Sequence, residues 1–237
     1  MISSQGISNS QRVAILFKNG INCSINHKIV DPEGRYIILK ACIQDKDYVL
    51  INAYAPNKDK DQVNFFNNLL WILQNENLDS VDNIVLGKDL NFPLDTLLDK
   101  KGGASTKRKW DNSCVEDFKG KLNLVDIWRS KNLEVKSFTW SQKSPPVFGR
   151  LDYWLIPNNL SDFVELTEII PAVRTDHDAI SSELGKLEGR IEKARELENE
   201  LLTVWWWRLR RRYNQDIAEG QKEFTDNPMN GTGLNIT

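Results

Sequence analysis

The stretch from Arg35 to Pro56 reads RYIILKACIQDKDYVLINAYAP, two apolar runs rich in β-branched and aromatic residues with a short polar group between them. Such residues favour strands, and Asp45-Lys46-Asp47 has the polar composition of a turn. The pattern predicts two consecutive antiparallel strands, Arg35–Ile43 and Tyr48–Ala55, joined by a tight turn. Proline cannot donate a backbone hydrogen bond to a neighbouring strand, so we expect the second strand to end at Pro56.

Further strand and helix signals flank this hairpin on both sides. Apolar residues recur every three or four positions from Val63 to Leu73, which is the spacing of an amphipathic helix. The other predicted elements are a helix at Trp110–Leu122 and strands at Val13–Phe17, Ile21–Ile25, Asn83–Leu86, Ser137–Trp140, Arg150–Ile156 and Asp178–Leu184. Strands interspersed with helices predict an α+β fold, a layered sandwich of two sheets flanked by helices.

The composition is that of a folded protein with one sizeable core. Of the 237 residues, 40% are hydrophobic and 27% are charged, and the net charge is −2, which together exclude a disordered chain. A near-neutral chain is not expected to coat DNA nonspecifically, although a local basic rim would still allow it to act on DNA. No apolar run approaches the ~18 residues of a membrane span, and the polar start, Met1–Ser10, lacks the pattern of a secretory leader.

The cysteines and histidines limit the compartment and the metal chemistry. Cys23, Cys42 and Cys114 are odd in number and show no C-x-x-C spacing, which favours a reduced intracellular compartment, nuclear or cytoplasmic. His27 and His177 are the two histidines of the sequence, so few imidazole ligands are available. The sequence therefore argues against a Cys/His zinc site.

Several polar segments at predicted strand ends carry residues suited to phosphate chemistry. Hydrolysis of a phosphodiester needs a base that activates water and groups that neutralise the phosphate. Asp176 beside His177 offers an oxygen ligand next to a titrating imidazole. Asp89 and Asn91 are two positions apart, so on an extended chain both side chains point the same way. Tyr54, also at a strand end, can donate a hydrogen bond to a phosphate oxygen.

Each of these segments also has a purely structural interpretation. Asp89 and Asn91 are residue types that turns favour, and His177 can be an ordinary surface histidine. Arg150 and Asp152 can form a surface ion pair, which contributes little to stability. The segments taken together favour a phosphodiester-hydrolysing site over these separate interpretations.

The order of the motifs resembles the endonuclease/exonuclease/phosphatase superfamily, which includes apurinic endonucleases and pancreatic deoxyribonuclease. The motifs are Tyr-Ala-Pro at Tyr54, Asp-x-Asn at Asp89, Arg-x-Asp-Tyr at Arg150 and Thr-Asp-His at Thr175. Within the superfamily, the chain is similar to the apurinic-like endonuclease domains of non-long-terminal-repeat retrotransposons of the long interspersed element type. That similarity is carried by Gly34–Ile37, Ile51–Pro56, Leu94-Asp95 and Phe138–Trp140. The resemblance implies a four-layer α/β sandwich of two mostly antiparallel sheets flanked by helices.

The resemblance implies a role for each matching residue. His177 would be the base that activates water, and Asp152 would orient its imidazole. Asp176 would hold a divalent metal, expected to be Mg²⁺ because carboxylates and substrate phosphate are its usual ligands. The remaining residues would position the nucleophile, stabilise the transition state or contact the substrate: Tyr54, Lys88, Asp89, Asn91 and Arg150.

The sequence departs from the family pattern at two points. The pattern opens with a strand that carries an Asn and a strand that carries a Glu, the main metal ligand, whereas Val13–Phe17 matches the strand after these two. We therefore expect an N-terminally incomplete domain, weak Mg²⁺ binding and weak or absent nicking. Lys88 stands where the family has a small residue, and it can either place a cation near the phosphate or remain a solvated side chain.

The composition changes after Leu184. From Lys186 to Tyr213 there is no proline and no strand signal, and apolar residues recur at helical spacing, so we expect one long helix. We expect residues 1–184 to form the nuclease-type domain, 185–213 a helical connector, and 214–237 a disordered tail. Trp205–Trp207 and the arginines that follow can bind nucleic acid or pack against a partner. Ile217–Lys222 is similar to the helical connectors that lead to reverse transcriptase in retrotransposon polyproteins, and we expect that domain to be absent from this chain.

Three functions are compatible with these observations. The first is a metal-dependent endonuclease that nicks DNA, and the retroelement-like segments favour it. The second is a phosphatase of the same superfamily that acts on a small phosphoester. The third is a catalytically inactive retroelement remnant or weak DNA-binding module, which the unmatched Glu strand favours. No membrane partner is expected.

Overall fold

A computed structural model describes residues 2–4, 13–103, 113–172, 176–184 and 205–208. Three α-helices are present in this part of the chain, α1 (Asp59–Asn75), α2 (Ser113–Lys121) and α3 (Ile127–Lys131), with a 3-10 helix at Asn158–Phe163. The strands are β1 (Ile2–Ser3), β2 (Val13–Leu16), β3 (Cys23–Val30), β4 (Tyr36–Ile43), β5 (Lys46–Tyr54), β6 (Ile84–Asp89), β7 (Lys100–Gly102), β8 (Leu124–Asp126), β9 (Trp140–Gln142), β10 (Val147–Gly149), β11 (Asp152–Pro157), β12 (Val164–Ile170), β13 (Ala179–Leu184) and β14 (Trp205–Arg208).

The predicted hairpin is the centre of a six-stranded sheet with the order β3-β4-β5-β6-β11-β8. β4 and β5 pair antiparallel from Tyr36↔Ala53 to Ile43↔Lys46, which confirms the two strands expected from the sequence. The turn lies at Gln44 and Asp45, whose φ angles of 50° and 62° suit the right-handed twist of a two-residue hairpin. The next connection crosses through α1, so β5 and β6 run parallel and their carboxyl ends meet at one edge of the sheet.

Helices cover one face of this sheet. α1 presents Phe66, Leu69 and Leu73 to the sheet, and α2 presents Val115 and Phe118, so the apolar stripe predicted from Val63 to Leu73 is the packing face. These side chains join the buried residues that alternate along the strands, Ile38, Ile51, Leu86 and Leu155 among them. The two layers together form the first half of the core.

A second layer of strands covers the opposite face. Val13 and Ile15 of β2 and Val164 of β12 pack against Ile37 and Leu50 of the central sheet. The layer consists of the small sheets β1-β2-β14 and β12-β13, and a third small sheet, β7-β10-β9, completes the described strands. The central sheet is therefore buried on both faces, and the predicted α/β sandwich of stacked sheets and helices is confirmed.

Some elements differ from the sequence prediction. The strand expected at Ser137–Trp140 lies at Trp140–Gln142, and β8, α3 and β12 were not predicted. The helix expected at Trp110–Leu122 is described from Ser113, and its first three residues lie outside the described part. In the described part of the chain, no helix has the length and apolar character needed to cross a membrane.

The helix expected at Lys186–Tyr213 is wrong where the structure describes it. Trp205–Arg208 is a strand that pairs antiparallel with β2, with Trp206 opposite Ile15. Consecutive aromatic residues favour strands, and β2 offers unpaired backbone groups along this side. The rest of that segment and residues 214–237 lie outside the described residues.

Candidate active site

Three strand ends bring polar side chains to one edge of the central sheet. Tyr54 at the end of β5 is in register with Asp89 at the end of β6. Asp89 is in turn opposite Asp152, the first residue of β11. Side chains of residues in register project from the same face of a sheet, so these three residues share the face that β2 and β12 cover.

His177 reaches Asp152 from the segment before β13. Its backbone forms an isolated bridge with Trp140, and Nδ1 of the imidazole lies 2.8 Å from Oδ2 of Asp152. Both side chains are partly exposed, at 16% and 26%. When Nδ1 donates its proton to a carboxylate, Nε2 is left as the acceptor, so this pair can present a base to the solvent.

Asp89, Asp152 and His177 form the group that could hold a metal ion in the described residues. Their ligand atoms all lie within 4.8 Å of one another, and Asp89 is buried. Carboxylate oxygens suit Mg²⁺, Ca²⁺ and Mn²⁺, whereas imidazole suits zinc, copper, iron and nickel. The cluster is therefore compatible with a divalent cation, and its donor set is rich in oxygen.

His177 of this cluster also lines a cleft with a volume of about 420 Å³, whereas Asp89 and Asp152 are not among the residues that line it. Residues Asn57, Asn91, Lys100, Asp176 and His177 form its polar lining, and Pro93, Trp140, Val147, Phe148, Gly149 and Leu151 form the rest. His177 and Asn91 thus share one cleft, as the expected phosphodiester site requires. Asp176 also faces it, next to His177 in the chain.

Asn91 reaches the cleft by a sharp turn. Its φ of 59° is left-handed, and its N–H donates to Oδ1 of Asp89 at 2.8 Å. Its side-chain amide donates to the carbonyl of Ala55, which links the ends of β5 and β6. The expectation that Asp89 and Asn91 project together from an extended chain is therefore wrong. β6 ends at Asp89, and asparagine tolerates the left-handed conformation that the turn requires.

Gln62 of α1 also links the segments that follow β5 and β6, and it was not among the residues predicted from the sequence. Its side-chain amide donates to the carbonyls of Pro56 at 2.8 Å and Leu90 at 3.1 Å, and the residue is 2% exposed. The sequence contained a signal for this role. Gln62 is a polar residue at helical spacing from the apolar residues Phe66 and Leu69, so it lies on the same face of the helix. A polar residue in such a stripe has a buried partner to satisfy.

Arg150 is not among the residues that line the cleft, and its burial does not support the substrate-binding role predicted for it. Its side chain is 1% exposed and donates from Nε and a terminal nitrogen to Asp99, both at 2.9 Å. It also donates to Asp126 at 2.6 Å, and Arg129 donates to Asp99. These two arginines and two aspartates form the Arg150 network. Their two positive and two negative formal charges sum to zero. Burial opposes the charge of Arg150, but the acidic groups around it outweigh burial and raise its pKa.

Tyr153 ties the Arg150 network to the loop after β6. Its hydroxyl donates to the carbonyl of Arg150 at 2.6 Å and accepts from the N–H of Leu94 at 2.9 Å. Burial raises the pKa of this hydroxyl well above its ordinary value, so it stays protonated and continues to donate. The Arg-x-Asp-Tyr motif therefore has two parts. Asp152 points to the site, whereas Arg150 and Tyr153 hold the surrounding backbone.

Tyr54 and Lys88 complete the predicted residues. Tyr54 is buried, donates from its hydroxyl to Oδ1 of Asn57 at 3.3 Å, and has the guanidinium of Arg35 over its ring at 5.9 Å. The backbone of Lys88 lies in β6, opposite Ala53 and Tyr153, but its side chain is outside the described part of the structure. Tyr54 thus contacts Asn57, which lines the cleft and was not among the residues predicted from the sequence.

Thr139 connects the two chain segments that carry the Asp152–His177 pair. It is fully buried, and its hydroxyl oxygen accepts from the N–H groups of Leu151 at 2.9 Å and Asp152 at 3.1 Å. Its carbonyl accepts from the N–H of Asp178 at 2.7 Å. The sequence identified this threonine only as part of a family-like segment, because nothing local reveals that its hydroxyl satisfies two distant N–H groups.

We expect Thr139→Val to lower the free energy of unfolding by about 1–3 kcal/mol, the cost of leaving buried donors without an acceptor. Valine has nearly the same shape, so the loss reports the hydroxyl rather than a cavity. Urea denaturation measures the difference, and Thr139→Ser, which keeps the oxygen, serves as the control. Equal stability of Thr139→Val and the unaltered chain would contradict this role.

No family model matches the sequence. A 149 kDa protein of transposon TX1 from Xenopus laevis is 27% identical over 150 residues, which is 62% of this chain. The match spans 11% of the length of that relative.

Solved nucleases share the fold. A 3'-5' exonuclease from Neisseria meningitidis has a TM-score of 0.53 at 15% identity, over 73% of this chain and 79% of its own. A structure of a Neisseria 3' phosphatase bound to a product DNA hairpin has a TM-score of 0.50 at 15% identity, with the same coverages. The endonuclease domain of TRAS1, a telomere-specific non-LTR retrotransposon, has a TM-score of 0.50 at 11% identity, over 76% of this chain and 81% of its own. The chain therefore has the α/β sandwich fold of the endonuclease/exonuclease/phosphatase nucleases.

Proposed function

We propose that this chain is a metal-dependent phosphodiesterase that nicks DNA, as an endonuclease of the retrotransposon type. The observation that carries the proposal is the hydrogen bond of 2.8 Å between His177 and Asp152, beside Asp89 and at the mouth of a cleft. A base held by a carboxylate, next to a second carboxylate, is the combination that hydrolysis of a phosphodiester needs. The retrotransposon endonuclease among the structures of this fold supports the choice of DNA.

His177 is the general base in this proposal. Its Nε2 takes the proton from the attacking water, while Nδ1 stays bonded to Asp152. The carboxylate fixes the tautomer and the ring orientation, and it stabilises the positive charge that forms on the imidazole. Asp152 is therefore a positioning residue, and its own hold on the ring is reinforced by Thr139.

Asp89 and Asp176 are the residues that we assign to a divalent cation, which we take to be Mg²⁺. Asp89 belongs to the compact group of ligand atoms, and Asp176 lines the cleft beside His177. Asp152 is already occupied by His177, so it is the weaker candidate. When bound, the cation would supply Lewis-acid neutralisation of the phosphate charge.

Asn57 and Asn91 supply neutral hydrogen-bond donors in this proposal. Both line the cleft, and an amide NH₂ group carries two donors, one of which can reach a phosphate oxygen. The Asn91 amide uses one donor on the carbonyl of Ala55, which fixes its direction. Tyr54 acts as a positioning residue, because its hydroxyl donates to Asn57.

The proposal extends to the organisation and location of the chain. Residues 1–184 form most of the nuclease domain, and Trp205–Arg208 adds a strand to its second layer. An intracellular location suits a DNA substrate, and none of Cys23, Cys42 and Cys114 forms a disulfide.

A plasmid assay tests the proposed function. We expect the chain to convert supercoiled plasmid to open circles only slowly in Mg²⁺ buffer, because the family's main Glu ligand is unmatched in this sequence, and we expect EDTA to abolish the conversion because the phosphate charge is then left without its cation. We also expect no release of nitrophenol from para-nitrophenyl phosphate, measured in the same buffer. Hydrolysis of this ester with intact plasmid would instead support a small-phosphoester phosphatase. Plasmid binding without cleavage would support a noncatalytic DNA-binding module.

A further inference from the structure

The substrate phosphate needs a cation that the sequence analysis did not identify. Of the two basic residues predicted to bind substrate, Arg150 is buried and bonded to Asp99 and Asp126. A phosphodiester in the cleft lies beside the carboxylate of Asp176, so a protein cation on the cleft wall would help a divalent cation to hold it. Lys100 is the basic residue that lines the cleft in the described part of the chain.

We propose that Lys100 binds the substrate's phosphate backbone and takes the role first predicted for Arg150. This inference rests on the proposed function and adds a substrate-binding residue to it. Lys100 shares the cleft with Asn91, Asp176 and His177. Its ammonium group is a compact charge with three donors, which suits a phosphate oxygen.

The backbone of Lys100 is fixed by the Arg150 network. Asp99, the preceding residue, is fully buried, and its carboxylate accepts from both Arg150 and Arg129. Its carbonyl accepts from the N–H of Arg150 at 2.8 Å. Lys100 itself pairs with Gly149 of β10. The buried ion network thus places a cation on the cleft wall, which gives these buried charges a consequence for binding.

The charge of Lys100 is available for a ligand. In the described part of the structure, no ion pair joins Lys100 to a carboxylate, whereas Lys119 is paired with Glu116 at 2.9 Å. Lys101, the next residue, is not among the cleft-lining residues, and its ammonium lies 5.8 Å from the centroid of the Phe148 ring. Lys101 is therefore the matched control, because it has the same charge one position along the same strand.

The test measures how DNA binding depends on salt. The unaltered chain, Lys100→Met, Lys100→Arg and Lys101→Met are titrated against a short fluorescein-labelled DNA duplex, in EDTA so that no cleavage occurs. Loss of one phosphate contact lowers the slope of log Kd against log salt by about 0.9. Both Kd values rise between about 50 and 200 mM salt. The factor by which Kd rises should be about three- to fourfold smaller for Lys100→Met than for the unaltered chain. We expect Lys100→Arg and Lys101→Met to keep the original slope.

An unchanged slope in Lys100→Met would overturn the inference. Equal decreases of the slope in Lys100→Met and Lys101→Met would also overturn it. Absence of duplex binding by the unaltered chain would overturn it as well. The proposed function fails separately: no plasmid nicking, together with a Lys100-dependent slope, would remove the enzymatic activity and leave Lys100 as the phosphate ligand. Nicking that depends on His177, together with an unchanged slope, would leave the activity and remove this role of Lys100.

Discussion

Replacing His177 by alanine is expected to lower the rate of plasmid nicking by about 10²–10⁴-fold, the usual contribution of a general base. Without the imidazole, the attacking water has no positioned group to take its proton. Asp152→Asn is expected to act in the same direction, because an amide cannot stabilise the imidazolium that forms. Initial rates of open-circle formation in Mg²⁺ measure both variants.

The second histidine of the chain provides a matched control. His27 lies in β3, where its Nε2 is 3.3 Å from a carboxylate oxygen of Glu76 at the end of α1. It is not among the residues that line the cleft, so His27→Ala should nick at the rate of the unaltered chain. Equal rates for His177→Ala and His27→Ala would remove His177 as the base and leave the 2.8 Å contact with Asp152 as a structural one.

Replacing Arg150 by methionine is expected to lower the free energy of unfolding by about 3–5 kcal/mol. The substitution removes one positive charge, so Asp126 loses its guanidinium partner and Asp99 keeps only Arg129. Attraction between the charges offsets the cost of burying them only when every partner is present. Chemical denaturation in urea, followed by circular dichroism, measures the loss, and its midpoint should fall accordingly.

A surface pair and a double variant separate charge burial from general damage. Lys119→Met breaks the partly exposed pair with Glu116 and should cost at most about 1 kcal/mol. The double variant Arg150→Met with Asp99→Leu removes both charges, so we expect it to be more stable than Arg150→Met alone. A loss below about 1 kcal/mol for Arg150→Met would show that the Arg150 network contributes no more than an exposed ion pair does.

Local signals in the sequence were sufficient for the central hairpin and the covering helix. β4 and β5 are long runs of β-branched and apolar residues, and α1 repeats its apolar residues over several turns. β8 and α3 contain three and five residues, which is too short for either periodicity to emerge. β12 is longer, but its pairing with β13 shifts between Val164 and Leu166, so the simple alternation of a strand is interrupted.

The site was predictable from motifs and not from local pattern. Asp152 and His177 are 25 positions apart, and only the family resemblance joined them before the fold was known. Arg150 shows the opposite case, because its partner Asp99 is 51 positions away and a lone arginine is normally exposed. Burial of a charged residue depends on partners that only the tertiary structure supplies. The site roles remain predictions for all of these residues: Tyr54, Lys88, Asp89, Asn91, Asp152, Asp176 and His177.

The segment from Asp89 to Asp99 borders the cleft and has little regular structure. Hydrogen bonds and ion pairs nevertheless hold it in place at several positions. The N–H of Leu90 donates to the carbonyl of Leu151, just before β11, at 2.7 Å, and the carbonyl of Leu90 accepts from Gln62. Leu94 is held by the Tyr153 hydroxyl, and Asp99 by two buried guanidinium groups. Loops at binding sites commonly lose conformational entropy when a ligand orders them. Here that entropy is lost when the chain folds. A substrate would therefore bind against a loop that is already ordered, and its affinity would not be reduced by the cost of ordering the loop.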